Sequence, residues 1–133
     1  MAIQSVCPEI AQWTTRDYAR VVQGDMAGWA AVEKGEVAGF IVARRVASDL
    51  EILNFAVRPD WRSRGVGGAL LGQALDWGAT FRAEKAFLEV RISNLAAMRF
   101  YEHHGFEMTG RRPRYYVAPI EDAMILTARL ASS

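Results

Sequence analysis

The chain has one cysteine, Cys7, and two histidines, His103 and His104, in 133 residues. A lone cysteine excludes an internal disulfide, and these three residues form no recognisable ligand set, so no metal is expected. Long apolar runs are missing as well. The longest uncharged stretch, Gly65 to Leu75, falls far short of the roughly 20 residues that a membrane-spanning helix needs. The opening MAIQSVCPEI lacks the charged-then-apolar build of a signal peptide. Excess charge of either sign is absent: sixteen basic residues face fifteen acidic ones, a formal net charge of +1. Nothing in that balance suggests wholesale binding to nucleic acid or to an acidic membrane, so any anion site is expected to be local. Internal repeats, low-complexity segments and linker-like composition are not found either. These absences predict a single soluble domain over residues 1–133, located in the cytoplasm.

What the chain does have is apolar material, 51% of its residues, enough for one sizeable core. Thr14 or Thr15 can cap a short helix through Asp17 to Val22. The stretch AGWAAVEKGEVAGFIVARRV places two β-rich runs around Glu33-Lys34-Gly35-Glu36, a hairpin turn. A third run, LEILNFAV, ends at Arg58-Pro59, where proline removes a ladder donor. From Val66, apolar residues recur at Leu70, Ala74, Trp77 and Phe81, with Leu71 and Leu75 beside them, which is helical spacing. AFLEVRI then reads as a strand. Asn94 is a good cap for a second helix, with Leu95, Met98 and Phe100 or Tyr101 on its apolar side and its end at His104-Gly105. A short strand from Phe106, a polar loop around RRPRYY and a last apolar run AMILTARL follow. The expected order is helix, three strands, helix, strand, helix, strand, strand. That is a mixed α/β sheet, mostly antiparallel, with one strand-helix-strand crossover at its centre.

The stretch VRPDWRSRGVGGALL combines arginines with glycines at a helix start. A Walker A loop needs a Gly-Lys-Ser/Thr ending, and the chain reads Gly-Gly-Ala. A Rossmann fingerprint needs glycine where Leu70 stands. The pattern that does fit is R-x-x-G-x-G, with Arg62, Gly65 and Gly67 at its fixed positions. Unpaired amides and the positive end of a helix dipole bind a diphosphate through bare backbone, provided no Cβ blocks the approach. A flexible turn with solvated arginines is the plainer alternative.

NFAVRPDWRSRGVGGALL, then FLEVRISNLAAMRFYEHHGFEMTGRR, then RYY and EDAMIL together resemble the GNAT superfamily of acetyl-coenzyme A dependent N-acetyltransferases, and within it the RimI type, which acts on ribosomal-protein alanine. These residues run from about Leu53 to Leu126 in the family's order and spacing. The resemblance implies helices on both faces of the sheet and acetyl-CoA as cofactor. It implies that the coenzyme A diphosphate lies on Arg62, Ser63, Arg64, Gly65, Val66, Gly67, Gly68 and Ala69. It implies further that the strand at Phe55, Ala56 and Val57 splays from its neighbour to pair with the pantetheine arm, and that Asn94, Ala97 and Tyr101 touch the cofactor from the next helix. Glu89 falls where the type places a general base, Tyr101 where it places the general acid, and the Val57 amide where an oxyanion donor is needed. Arg111-Arg112 and Tyr115-Tyr116 fall near the acceptor. Plainer readings stay open beside these. Glu89 can simply pair with Arg91, Tyr101 can be a core aromatic, Asn94 a helix cap, and the arginine-tyrosine segment an exposed basic turn.

The chemistry explains why those two residue types are wanted. An α-amine titrates near 7.7 to 8.0, so at neutral pH most of it is protonated and cannot attack a thioester. A carboxyl group near 4.3 lies about 3.5 units lower, which makes direct transfer uphill by roughly 5 kcal/mol at reference values. Glu89 therefore has to be perturbed, work through water, or mainly orient. Donation from a tyrosine near 10 to a thiolate near 8.5 is uphill by only about 2 kcal/mol. Two departures from the type stand out. Few residues precede Gln12-Trp13, and the link from Tyr115-Tyr116 to Glu121-Asp122 is short. The expected acceptor is the N-terminal α-amine of a protein, the alternatives being a small-molecule amine or a coenzyme A-binding module without catalysis. A homodimer is compatible with all three.

Overall fold

The computed structural model describes residues 16–59 and 65–130. Among the described residues seven strands and two helices follow one another as β1 (Arg16–Gln23), β2 (Met26–Glu33), β3 (Glu36–Val46), β4 (Asp49–Val57), α1 (Val66–Thr80), β5 (Lys85–Arg91), α2 (Leu95–His103), β6 (Glu107–Tyr116) and β7 (Glu121–Arg129). The strands take the order β1-β2-β3-β4-β5-β7-β6. β4 and β5 are parallel, and the pairs β1–β2, β2–β3, β5–β7 and β6–β7 are antiparallel. This is the mixed, mostly antiparallel sheet with a strand-helix-strand crossover that the patterning predicts. Among the described residues no helix is long and apolar enough to cross a membrane.

Tight turns join the first four strands. Lys34 and Gly35 both take positive φ, 53° and 80°, as a two-residue type I′ hairpin turn requires. The predicted hairpin is thus in place, with Glu33 opposite Glu36. The same logic overturns the helix expected from Asp17 to Val22. That segment is strand β1, with Gln23 opposite Met26 across a turn at Gly24 (φ 62°) and Arg16 opposite Glu33 at its far end. Eight paired rungs outweigh a weak local helix signal in so short a segment. The cap residues Thr14 and Thr15 lie outside the described residues.

The RRPRYY segment, expected as a polar loop, belongs to β6. β6 ends the sheet order, and an edge strand tolerates the missing N–H of Pro113. The register shifts between Arg112 and Tyr116, Arg114 takes φ 54°, and its N–H donates to Asp122 Oδ1 at 2.8 Å. The segment is therefore a bulged edge strand, which absorbs residues that read as a turn.

The chain forms two compact units, one of described residues from 16 to 44 and 53 to 76, the other of residues from 45 to 52 and 77 to 130. The first unit buries Trp29, Ile41, Val66, Leu70 and Leu71. Val66, Leu70 and Leu71 are three of the stripe residues read from the sequence. The second buries Leu50, Leu88, Phe106 and Leu126, and Gly78 lets α1 approach Leu50, whose Cδ2 would lie 3.1 Å from an added Cβ.

Candidate active site

The first unit holds Phe55, Ala56, Val57 and the segment Gly65 to Ala69, and the second holds Glu89, Asn94, Ala97 and Tyr101. Arg62, Ser63 and Arg64 lie outside the described residues. In the first unit, α1 begins directly after Gly65, whose φ of 81° is open to glycine. Its first intrahelical donor is the Ala69 N–H, 3.0 Å from Gly65 O. The amides of Val66, Gly67 and Gly68 therefore stand ahead of the helical ladder. No acidic residue occupies the first turn, and neither Gly67 nor Gly68 carries a Cβ. Donors, dipole and bare backbone together fit an anionic diphosphate.

β4 pairs with β5 at Leu50↔Ala86 and Glu51↔Phe87, and runs on to Val57. At its end Ala56 is exposed and Val57 half-buried, and both line a groove of about 320 Å³ with Gly39, Phe40, Arg58 and Pro59. The strand end is fixed by Arg58, whose N–H donates to Ala38 O at 2.8 Å and whose guanidinium meets Glu36 at 3.0 Å. A residue that sequence reasoning missed sets the spacing. A Cβ on Gly39 would lie 2.9 Å from Ala56 O and 3.2 Å from both Val57 Cγ2 and Leu70 Cδ1. Its one sequence signal is a glycine inside an otherwise apolar strand, which marks close backbone approach.

In the second unit Glu89 stands on β5 opposite Ile125 of β7, which in turn faces Gly110 of β6. One row away, Arg91, Ala123 and Arg112 face one another in the same sense. Cross-strand partners share a face, so Glu89, Arg91 and Arg112 all project from one side. The Glu89–Arg91 pairing left open by the sequence is not formed. Arg91 donates to Val117 O at 3.2 Å and Pro119 O at 3.1 Å, meets Glu121 at 3.5 Å, and lies 4.5 Å from the Tyr116 ring centre. Glu89 instead forms an ion pair with Arg112, Nε lying 2.5 Å from Oε2. Arg112 in turn lies 5.1 Å from the Tyr115 ring, and Tyr115 meets Tyr116 edge to face at 5.1 Å. Glu121 closes the series by accepting the Ser93 N–H at 3.2 Å, next to the start of α2. Burial, then the Glu89 charge, raises the Tyr116 phenol above its ordinary value.

Asn94 caps α2 as expected, its Oδ1 accepting the Ala97 N–H at 3.1 Å. Asn94 is exposed and Ala97 half-buried. The apolar side of α2 needs one correction: Leu95 is exposed, Met98 and Phe100 are half-buried, and Tyr101 alone is buried. The Tyr101 ring packs edge-on against Phe106 at 5.3 Å, so the core-aromatic reading holds for the ring. Burial raises its phenol well above the usual range, which keeps Oη protonated and makes donation harder than reference values suggest. Among the described residues no group of three or more His, Cys, Asp or Glu is arranged to hold a metal ion.

The profile of the acetyltransferase (GNAT) family matches residues 3–106. The chain is 31% identical over 116 residues to the ribosomal protein bS18-alanine N-acetyltransferase of Escherichia coli (strain K12), spanning 86% of this chain and 78% of that protein. Among solved structures, nourseothricin acetyltransferase superposes with a TM-score of 0.77 at 27% identity, over 81% of this chain and 67% of that one. An acetyltransferase from Bacillus anthracis in complex with acetyl coenzyme A gives a TM-score of 0.77 at 25% identity, over 84% of this chain and 66% of that one.

Proposed function

The chain belongs to the acetyltransferase (GNAT) family and is an acetyl-CoA-dependent N-acetyltransferase, and on that premise we propose that it acetylates the N-terminal α-amine of a protein, with N-terminal alanine as the leading acceptor, by direct attack within a ternary complex. Likeness to the bS18-alanine enzyme supports this acceptor. The observation that carries the reading is Glu89, a half-buried carboxylate beside Arg112, Tyr115 and Tyr116 on one face of the second unit. Such a carboxylate binds an ammonium group, which is how an α-amine arrives at neutral pH.

Bound acetyl-CoA supplies the acetyl thioester. Its diphosphate would be held by Arg62, Ser63 and Arg64 and by the start of α1, where the amides of Val66, Gly67 and Gly68 precede the helical ladder and Ala69 closes the first turn, and the rest of it by Phe55, Ala56, Val57, Asn94 and Ala97. Glu89 receives the acceptor ammonium, and the proton leaves through water, because direct transfer to a carboxylate is uphill by roughly 5 kcal/mol at reference values. The Val57 N–H is the donor for the carbonyl oxygen as charge gathers on it. Tyr101 keeps a proton at Oη for the leaving sulfur.

A second reading, acetylation of a small amine, draws on the likeness to nourseothricin acetyltransferase. Pure protein incubated with acetyl-CoA and a panel of free peptides, polyamines and aminated antibiotics separates the two. Transfer to an alanine-initiated peptide is expected, and transfer confined to the small amines would contradict it.

A further inference from the structure

Arg112 touches neither the acceptor nor the cofactor in the roles above, yet it makes the one ion pair of Glu89 among the described residues. The pair spans β7. Gly110 stands in the Glu89 row, so the only side chain between the two outer strands there is that of Ile125, whose Cδ1 would lie 3.1 Å from a Cβ on Gly110. With no side chain at Gly110, Arg112 can reach diagonally from the next row to the carboxylate. Arg91, on the strand of Glu89 itself, is held away by Val117 O, Pro119 O and Glu121. The contact is through Nε to Oε2. Among the described residues no hydrogen bond reaches Oε1, and it is the oxygen left for a second cation. The Tyr115 ring stands 5.1 Å from the guanidinium and limits where Arg112 can move.

Resting on the reading of Glu89 as the residue that receives the acceptor ammonium, we propose that Arg112 is a positioning residue for the acceptor. By engaging Oε2 it holds the carboxylate in one orientation with Oε1 presented to the incoming amine. Two opposed effects follow from a neighbouring guanidinium. Its charge competes with the ammonium, and its close contact at Oε2 orders the carboxylate. Exposure decides between them. The Arg112 side chain is 57% exposed, so solvent screens its charge, whereas Glu89 is 17% exposed and has this guanidinium as its one ion-pair partner among the described residues. Ordering wins, and removal of Arg112 weakens acceptor binding.

The test is a double-mutant cycle of Arg112→Gln and Glu89→Gln, with KM for an alanine-initiated peptide, kcat, and acetyl-CoA affinity measured for each protein. Arg112→Gln is expected to raise the peptide KM about tenfold, with kcat changed less than threefold and acetyl-CoA affinity unchanged. Glu89→Gln raises the peptide KM as well, and the double variant is no worse than Glu89→Gln alone. Arg112→Lys, which retains the charge and one donor, recovers part of the loss. An unchanged or lower KM for Arg112→Gln overturns the proposal, as does a double variant whose losses are additive, which would mean that Arg112 acts on β6 and not through Glu89. A wild-type peptide KM for Glu89→Gln removes the underlying reading of Glu89 instead.

Discussion

Gly39 and Ala56 approach so closely that a Cβ on Gly39 would sit 2.9 Å from the Ala56 carbonyl oxygen. Leu70 of α1 and Val57 of β4 crowd the same point at 3.2 Å. One missing methyl group thus sets the distance between the strand assigned to the pantetheine arm and the helix assigned to the diphosphate. Gly39→Ala forces backbone or a buried leucine to shift, and overpacking of this kind costs about 1–3 kcal/mol. Urea denaturation should show a lower midpoint with an unchanged slope, and acetyl-CoA affinity should fall with it. A midpoint equal to wild type would mean that β4 yields freely.

Gly67 carries the next expectation. A β-branched residue there puts methyl groups among the amides of Val66, Gly67 and Gly68. Gly67→Val should weaken acetyl-CoA binding more than tenfold, or about 1.4 kcal/mol, in calorimetry. Equal affinity would remove the helix start from the cofactor site.

Tyr101→Phe keeps the ring against Phe106 and deletes the acid. Turnover should fall by something like 10², with cofactor affinity near normal. Because burial raises the phenol above its ordinary value, Oη stays protonated across the accessible range. The wild-type rate should therefore show no loss attributable to this residue up to about pH 10. Undiminished turnover in the variant would leave Tyr101 with packing alone.

Asp122 and Glu121 tie the bulged β6 and the α2 entry to β7. Hydrogen bonds from the Arg114 amide, then Arg111, lower the Asp122 carboxyl, and bonds from the Ser93 side chain, then its backbone, lower that of Glu121. A carboxyl group lowered on folding stabilises the fold above its unfolded value and loses that contribution as pH falls through its folded value. The window for Asp122 thus lies below its ordinary 3.8. Asp122→Asn should flatten the loss of urea resistance on acidification in that range. An acid limb as steep as wild type would show that the bonds to Arg111 and Arg114 contribute nothing measurable.

The parts of the fold legible in the sequence are those where one period dominates. The α1 stripe from Val66, the Lys34-Gly35 hairpin and the Asn94 cap each carry a local signature that tertiary structure did not overrule. The misread parts depend on partners far along the chain. β1 is a strand because β2 offers it eight rungs, and RRPRYY is a strand because β7 holds it and an edge tolerates Pro113. For the site, Glu89 and Tyr101 came from family resemblance. The Glu89–Arg112 pair could not be read from spacing, because it links positions on strands that meet only through β7. Gly39 gave a faint signal, since a lone strand glycine does not say what approaches it.

Glu89→Gln should slow transfer most at neutral or lower pH, and the defect should shrink as rising pH deprotonates the acceptor in solution. A defect constant across pH would assign Glu89 to structure through Arg112.

The acceptor itself is tested most directly with two matched peptides, one with a free N-terminal alanine and no lysine, the other blocked at the N-terminus and with one internal residue replaced by lysine. A lysine amine near 10.4 is harder to deprotonate than an α-amine by roughly 2.5 units, or near 3.5 kcal/mol. Acetyl transfer from acetyl-CoA to the free-alanine peptide should exceed that to the blocked lysine peptide at pH 7. Preference for the blocked lysine peptide would contradict N-terminal acetylation as the activity of this enzyme.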